Sequence, residues 1–409
     1  MRRLAILLLL ISGCSDDPCE GVSGTCIGLA DGASATDVQT ALIKITPGGT
    51  VAFGEGTFHL QTDLSLTVDN VTIQGAGMDQ TVLSFKGQTS GAQGLLVTAS
   101  GFTIQDIAIE DTRGDALKIE GGTGITIERT RVEWTGGPNE TNGSYGLYPV
   151  QCKNVLIDGS VVKGASDAGI YVGQSDNIVV RNNRAELNVA GIEIENSTNA
   201  DVHDNTATKN TGGILVFNLP GLQVENGAIT RVFHNEVFDN NTTNFAPVGN
   251  IVGLVPTGTG MAILAAHQVE IFNNNIHDHK SVNFGVISYV PTGKVVDDPT
   301  YDQYPTAISV HDNTMMGTSD MPTGMLGALL ISAIGEIMPN GPFIVPDMAW
   351  DGVLDPNRTY TDADRICMQN NGDADFINLA WPLNMGDLPS VDMSTHNCTL
   401  AALPEVVLP

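Results

Sequence analysis

The sequence predicts an all-β protein wound as a parallel β-helix, a solenoid of about ten coils. The main observation is a motif of two small residues and Ile that recurs at a fixed spacing. It occurs as Ala168-Gly169-Ile170, Ala190-Gly191-Ile192 and Gly212-Gly213-Ile214. A fixed period in the twenties is typical of solenoids, in which each repeat buries its apolar face against its neighbours.

The strands of the solenoid are predicted from alternating apolar and polar residues, as in residues 102–105 and 125–128. Alternation directs every second side chain into the core. Apolar strand ends recur at Ile104, Ile127, Ile157, Val180, Val202, Val232, Ile271 and Val310. The longer intervals carry insertions, at residues 135–145, 218–229, 241–258 and 289–304. We expect three strands per coil, with Gly and Asn at corners because both tolerate positive φ.

One Asn recurs at the same place in successive coils. The column consists of Asn183, Asn205, Asn235, Asn274 and Asn313. Stacked Asn amides can hydrogen-bond along the solenoid axis and satisfy backbone groups at a corner. We therefore assign this column a structural role.

The ends of the repeat region set the predicted domain boundaries. A short helix is expected at the start, capped by Ser34 or Thr36 and covering the open end of the solenoid. We place the β-helix domain at residues 34–330 and an irregular C-terminal coil and cap at residues 331–409. Residues 14–33 are rich in Gly, Ser, Asp and Cys and are predicted to form a tether.

Residues 1–13 are interpreted as a lipoprotein signal peptide. Arg2 and Arg3 precede an apolar run that is too short to span a bilayer but fits a secretory signal. The run ends in Ile-Ser-Gly-Cys, which resembles a bacterial lipobox and implies lipid attachment to Cys14. The alternative is an ordinary secretory signal with Cys14 in a disulfide. The preferred interpretation is a cell-envelope protein, periplasmic or on the outer surface, that contacts the membrane only through this lipid.

The other five cysteines fit an exported chain. Cys19 and Cys26 can close a small loop, and Cys367 and Cys398 can staple the C-terminal region. Cys152 is left as a buried thiol, although sequence alone does not fix the connectivity. No Cys or His spacing indicates zinc, so no metal ligand is assigned.

The charge of the chain excludes one class of partner. The sequence has 46 acidic and 18 basic residues and a formal net charge of −28. Such a surface repels nucleic acid. It also repels anionic polysaccharides unless a basic patch or bound cations neutralise the repulsion. Calcium is therefore a candidate cofactor, although the sequence does not require a cofactor.

Several segments resemble pectin-lyase-like right-handed β-helices, which implies a right-handed, single-stranded winding. The segments are residues 48–53, 56–58, 71–77 and 81–85. Residues 164–175 and 191–196 resemble a bacterial family of exported parallel β-helix repeat proteins with no established activity. More remotely, the chain is similar to periplasmic β-helix accessory proteins of copper enzymes, to polysaccharide lyases and to alginate epimerases.

The repeat also places distant residues on one face. One outward column is predicted to contain Lys118, Tyr148, Tyr171, Glu193 and Leu215, and the next contains Glu120, Val150, Gly173, Glu195 and Phe217. If this face is catalytic, Tyr171 or Lys118 would move protons, and Glu193 would position groups or balance charge. The alternative is a mixed surface on which tyrosines of adjacent coils simply stack.

The other polar members of this face, Glu120, Tyr148 and Glu195, are the predicted ligand-binding residues, because tyrosine rings offer platforms for sugars. Glu193 and Glu195 lie about 7 Å apart along a strand. They could form a glycosidase pair of inverting geometry, or bind a cation with Asn196.

A second candidate is the run His277-Asp278-His279. In an extended segment both histidines would share a face and, with His203, His234 or His311, could bind copper or another transition metal. The aligned coils scatter these histidines over different columns, so a solvated corner is preferred.

We therefore predict an exported β-helix lipoprotein that binds or processes a polysaccharide on one face. An enzyme of this type would be a lyase, an epimerase or a glycoside hydrolase. However, the sequence lacks the Asp-Pro-His-Asp type of motif that marks alginate epimerases, and it has no clear match to the Lys and Arg pair of calcium-dependent lyases. The alternative is a non-catalytic accessory or scaffold protein with an envelope protein partner.

Overall fold

The computed structural model describes residues 17–318, 322–337, 345–381 and 388–409. Within them the chain winds as a parallel β-solenoid of about 13 turns. The predicted all-β parallel β-helix is confirmed. The predicted signal peptide and Cys14 lie outside the described residues.

The first half of the chain contains one helix, α1 (Ala35–Lys44), and seventeen strands. The strands are β1 (Cys26–Leu29), β2 (Thr50–Phe53), β3 (Gly56–His59), β4 (Leu64–Leu66), β5 (Thr72–Gln74), β6 (Thr81–Ser84), β7 (Gln93–Val97), β8 (Thr103–Glu110), β9 (Asp115–Glu120), β10 (Thr123–Glu133), β11 (Tyr145–Val150), β12 (Lys153–Asp158), β13 (Val161–Lys163), β14 (Ala168–Gly173), β15 (Asp176–Arg181), β16 (Arg184–Glu186) and β17 (Ala190–Glu195).

The second half contains α2 (Gly324–Ile337) and three short 3-10 turns at Ile251–Leu254, Val290–Thr292 and Asp362–Asp364. Its strands are β18 (Thr198–His203), β19 (Thr206–Thr208), β20 (Gly212–Phe217), β21 (Ala228–Phe233), β22 (Glu236–Phe238), β23 (Thr259–Leu264), β24 (His267–Phe272), β25 (Asn275–His277), β26 (Val282–Ile287), β27 (Thr306–His311), β28 (Thr314–Met316), β29 (Met348–Trp350), β30 (Ile366–Gln369) and β31 (Phe376–Asn378). No described helix is both long and apolar enough to cross a membrane.

These strands form three columns along the axis, paired in parallel from one coil to the next. The column that we name sheet I has eleven strands: β4, β7, β9, β11, β14, β17, β20, β23, β26, β29 and β31. The long strands β8 and β10 run through both other columns and join them. Sheet II contains β12, β15, β18, β21, β24, β27 and β30 after them, and sheet III contains β13, β16, β19, β22, β25 and β28.

The interior of the solenoid is one continuous apolar core, from Leu29 in the first coil to Phe376 in the last. The eight apolar strand ends predicted from the sequence lie in register in sheet II, with Ile127 between Ile104 and Ile157 and the others following in order. Because one coil cannot bury its own apolar face, this register holds the coils together.

The predicted Asn column forms a hydrogen-bonded ladder. Each side-chain Nδ2 donates to Oδ1 of the next Asn at 2.9–3.0 Å, and the ladder continues from Asn313 to Asn371. Each Nδ2 also donates to a backbone carbonyl, as Asn205 does to Val180. The buried amides are thus satisfied within the solenoid.

A second ladder, which the sequence analysis missed, runs beside sheet I. Asn188 donates to Asn210 at 3.0 Å, and Asn210 donates to Asn240 at 2.9 Å. Asn240 then meets Nε2 of His279 at 3.0 Å. Burial lowers the pKa of His279 to about 4, so its neutral ring accepts from Asn240 and donates from Nδ1 to Asn283.

This ladder explains the repeated Gly of the 22-residue motif. A Cβ on Gly191 would lie 2.6 Å from the carbonyl oxygen of Gly213 and 2.8 Å from Nδ2 of Asn210. Gly169 and Gly213 are similarly close to the next ladder amide. The motif therefore contains Gly because the next coil and its Asn approach so closely that no side chain fits.

The N-terminal end is closed by α1, as predicted. Ser34, and not Thr36, is the cap: its hydroxyl accepts from the Asp37 backbone N–H at 3.2 Å, and the Asp37 carboxylate accepts from the Ser34 backbone at 3.0 Å. The helix buries Val38 and Leu42 against the core. Such a cap protects the open end of a solenoid.

The predicted tether of residues 14–33 is too long. Strand β1 pairs with β2 and therefore belongs to the first coil of the solenoid. A disulfide joins Cys19 to Cys26 at the start of this strand. The sequence did not reveal this coil because it lacks the 22-residue motif.

The predicted domain boundary at residue 330 is also wrong, because it falls inside α2 and the solenoid continues to β31. A long connection containing α2 separates β28 from β29, so the sequence period is lost although the winding persists. These terminal coils account for the difference between about ten predicted turns and about 13.

A disulfide joins Cys367 to Cys398, and Cys152 is a buried free thiol.

Replacing Gly191 by Ala should lower the free energy of unfolding by about 2 kcal/mol, since overpacking typically costs 1–3 kcal/mol. Gly285→Ala is the matched control, because Gly285 lies in sheet I with nothing within 4 Å of an added Cβ. Thermal denaturation at one scan rate should give a lower midpoint for Gly191→Ala only. Equal midpoints would contradict the close approach at Gly191.

Candidate functional site

Sheet I brings the predicted face together. Its register makes neighbours of Lys118, Tyr148, Tyr171, Glu193 and Leu215 in one column, and of Glu120, Val150, Gly173, Glu195 and Phe217 in the next. The six polar candidates therefore lie on four adjacent strands, β9, β11, β14 and β17.

This face is covered, so the expectation of an exposed patch is wrong for its central residues. The exposed fractions of Tyr171, Glu193 and Glu195 are 4%, 1% and 5%. Residues 241–258 and 289–304 lie over sheet I and build a second apolar cluster against it. The cluster includes Leu215, Phe217, Val252, Val255, Tyr289 and Tyr301. The sequence revealed these insertions but not where they fold.

Three tyrosine rings meet over β11 and β14. The ring centroid of Tyr145 lies 4.6 Å from that of Tyr148 and 4.5 Å from that of Tyr171, and Tyr148 and Tyr171 are 5.0 Å apart. A Cβ on Gly173 would come within 2.3 Å of the Tyr171 ring, so Gly at this position makes room for the ring. Tyr145 and Tyr148 are half-buried and reach the surface.

Three buried carboxyl groups adjoin these rings. The Tyr171 hydroxyl donates to Oε1 of Glu195 at 2.6 Å. Nδ2 of Asn250, in the covering insertion, donates to Oδ2 of Asp167 at 2.6 Å. No donor among the described residues reaches either carboxyl oxygen of Glu193. Its hydrogen-bonding neighbour is the Glu195 carboxyl, which is itself an acceptor, so the pair needs a proton between them.

Burial and mutual repulsion make these groups hold protons. Burial raises the pKa of Glu195 to about 7, although the hydrogen bonds from Tyr171 and Glu193 oppose the shift. Burial and the charge of Glu195 raise the pKa of Asp167 to about 7. Burial and the same neighbour raise the pKa of Glu193 well above its ordinary value. The three groups titrate together, so protons belong to the set and not to one member.

The mouth of the site carries mixed charges. The Tyr145 backbone N–H donates to Oδ1 of Asp115 at 3.3 Å, and burial raises the pKa of Asp115 to about 6. The Lys118 ammonium lies 3.5 Å from Oε2 of Glu120 and 5.5 Å from the centre of the Tyr148 ring. We name the whole set the acid–tyrosine cluster: Asp115, Lys118, Glu120, Tyr145, Tyr148, Asp167, Tyr171, Glu193 and Glu195.

The sequence analysis missed Asp115, Tyr145, Asp167 and Asn250. One signal was available, because Asp115 and Asp167 each precede an Ala at the start of a sheet I strand. No local pattern points to Asn250, which reaches Asp167 from 83 residues along the chain.

Asn196 does not join the carboxyl groups, contrary to the proposed cation site. Its Nδ2 donates to the carbonyl oxygens of Leu219 and Val224, and its Oδ1 accepts from the Leu219 N–H at 2.7 Å. The side chain therefore anchors the insertion at residues 218–229. In the part of the chain that the structure describes, no three or more His, Cys, Asp or Glu residues form a group that could hold a metal ion.

His277 and His279 do not share a face, because Asp278 between them turns the chain with φ of 61°. His279 ends the second Asn ladder, whereas Nε2 of His277 lies 2.9 Å from Oε1 of Glu236. His203 and His311 lie in another column, stacked on Phe233 and Phe272. The metal hypothesis for this run is therefore wrong in its geometry.

The acid–tyrosine cluster combines the elements of acid–base chemistry. A carboxyl group with a pKa near 7 can donate a proton at neutral pH and take it back, and burial beside apolar residues is the usual cause of such a pKa. Burial and Glu195 raise the pKa of Tyr171, so its hydroxyl stays protonated at neutral pH and acts as a hydrogen-bond donor. Tyr145 and Tyr148 present aromatic surface at the mouth.

Comparison with known proteins gives the same fold. Residues 56–229 match the family model described as a right-handed β-helix region. No curated protein matches the sequence. The A-module of mannuronan C-5 epimerase AlgE4 of Azotobacter vinelandii is similar in structure, with a TM-score of 0.51 and 21% identity over 71% of this chain and 87% of the module.

The alginate lyase of Paenibacillus sp. str. FPU-7 has a TM-score of 0.47 and 16% identity over 73% of this chain and 96% of the lyase. Likeness at these levels of identity concerns the winding of the chain. Residues 56–229 thus match a right-handed β-helix region, and the described coils before and after them continue the same parallel winding.

Proposed function

We propose that the chain binds and processes a polysaccharide at the acid–tyrosine cluster. The observation that carries the proposal is the convergence of three buried carboxyl groups, Asp167, Glu193 and Glu195, beside tyrosine rings that reach the surface. Strongly shifted pKa values in a covered site are typical of functional groups. A solenoid face also suits an extended chain, because equivalent positions repeat along it.

In this proposal Glu195 is the proton donor and acceptor, supported by its pKa of about 7. Glu193 keeps the proton within the pair, and Tyr171 positions Glu195 through its hydroxyl. Tyr148, with Lys118 and Glu120 beside it, forms the surface on which a sugar ring stacks. The acid–base role thus moves from Tyr171 and Lys118, which the sequence favoured, to Glu195.

A polysaccharide as the ligand agrees with the names of two compared proteins, a mannuronan epimerase and an alginate lyase. The shared fold supports this class and no particular sugar. Calcium is included in the proposal as a candidate cofactor of binding.

A second function is favoured by one observation, the burial of Glu193 and Glu195 beneath the insertions. Buried carboxyl groups beneath half-buried tyrosines suit a non-catalytic accessory or scaffold protein that binds a glycan or an envelope protein. Such a protein would bind its ligand without turnover.

The two functions separate in one assay. Purified protein is incubated with alginate, pectate, glycosaminoglycans and neutral glucans, with and without calcium, and both products and thermal stabilisation are measured. Glu195→Gln should lower turnover by about 100-fold or more, the usual contribution of a general acid. Tyr148→Ala should weaken binding by about 3- to 10-fold through lost stacking. The exposed Glu20→Gln is the control and should match the wild type. Absence of both products and stabilisation would refute the proposal.

The acid–tyrosine cluster also makes stability depend on pH. The pKa of Glu195 is about 7 in the folded chain and 4.5 ordinarily. The folded state therefore holds the proton more tightly than the unfolded state does. The stabilisation that this proton gives to the folded state is complete below pH 4.5 and is lost as pH rises to about 7. Wild-type unfolding free energy should fall over this window by at most about 1.4 kcal/mol per pH unit for this group. Glu195→Gln should flatten this dependence of unfolding free energy on pH, and Glu120→Gln should not. Identical slopes in the wild type and both variants would contradict the raised pKa of Glu195.

We also propose that the chain is exported to the cell envelope and held there by lipid on Cys14. Two disulfides within the described residues support an oxidising compartment. Wild-type protein expressed in bacteria should incorporate labelled fatty acid and sediment with membranes. Cys14→Ser should do neither and remain soluble, whereas the buried Cys152→Ser should behave as wild type. Membrane association that survives Cys14→Ser would refute the lipid anchor.

A further inference from the structure

We infer that the polysaccharide taken by the acid–tyrosine cluster is uncharged where it meets the carboxyl groups. The inference rests on the proposed function and narrows it to a substrate class. Two independent features of the acid–tyrosine cluster lead to it, the shortage of hydrogen-bond donors and the shortage of cations.

The shortage of donors is centred on Glu193. Its side chain is buried, with an exposed fraction of 1%, and no described donor reaches either oxygen. The adjoining Glu195 receives one hydroxyl, from Tyr171. Even with one shared proton, the two carboxyl groups have more acceptor sites than donors, which is costly in a buried place. The complementary ligand therefore brings hydroxyl groups, as a neutral sugar does, and a uronate carboxylate would add further acceptors.

The shortage of cations is equally specific. The cluster contains five carboxyl groups. Among the described residues, Lys118 is the one basic residue whose charge acts on them. Its ammonium already lies 3.5 Å from Glu120. Recognition of a carboxylate ordinarily uses Arg or Lys as a direct partner. A uronate here would meet unneutralised acids in a site of low dielectric, where repulsion is strong.

Protonation of the cluster does not remove this conflict. The pKa values near 7 of Asp167 and Glu195 mean that the groups carry a partial negative charge at neutral pH. An incoming anion would raise these values further, so its binding would require uptake of protons. An uncharged sugar imposes no such requirement and can accept a proton from Glu195 at its glycosidic oxygen.

The test uses pairs of polymers that differ only in charge. Polymannuronate, polygalacturonate and polyglucuronate are each compared with the same polymer after reduction of its carboxyl groups to alcohols. Binding is measured at pH 7 by calorimetry, without added metal and again with calcium. We expect the reduced member of at least one pair to bind at least about tenfold more tightly than its acidic parent.

Salt provides a second readout on the same samples. Affinity for a neutral polymer should be independent of ionic strength, whereas residual binding of an acidic parent should strengthen as salt screens the repulsion. Acidic parents that bind as tightly as their reduced forms, or that weaken as salt rises, would overturn the inference while the proposed function stands. If neither member of any pair binds, the proposed function itself fails.

Discussion

Hydrogen bonds between Asn side chains of successive coils are the constraint on which the rest of this structure depends. The ladder through Asn188, Asn210 and Asn240 runs beside sheet I and ends on a neutral His279. It needs the Gly column for space, and together they fix how each coil sits on the next. A slip of one residue would turn every side chain to the opposite face of the strand. The meeting of Tyr171 with Glu195 across adjacent strands is therefore a consequence of this packing.

The insertions convert a surface into a site. Without residues 241–258 and 289–304, the carboxyl groups of sheet I would face water and keep ordinary pKa values. With these insertions in place, Glu193 and Glu195 are removed from water and gain few hydrogen-bond partners. The two buried carboxyl groups therefore destabilise the folded chain, whereas a pair of apolar residues would not. Proteins tolerate such features chiefly at functional positions, where a displaced pKa serves chemistry. The covering loops and the regular coils thus contribute separately, the coils by placing groups and the loops by changing their electrostatics.

The sequence predicted what the period controls. Equal spacing was enough to align Tyr171 with Glu193 and to identify the Asn183 ladder, because every coil repeats the same geometry. The second ladder escaped notice, since it contains only Asn188, Asn210 and Asn240 among the described residues and His279 takes the place of the next Asn. Burial of Glu193 could not be predicted either, because it depends on where loops from distant coils fold. The first and last coils lack the motif but stack on their neighbours all the same.

The central claim is that the acid–tyrosine cluster retains a proton between Glu193 and Glu195 at neutral pH. Infrared difference spectroscopy of the wild type against Glu193→Gln tests it most directly. The account predicts a carbonyl band of a protonated carboxyl group at pH 7 that is missing in the variant. A wild-type spectrum at pH 7 that contains carboxylate bands alone for these residues would contradict it.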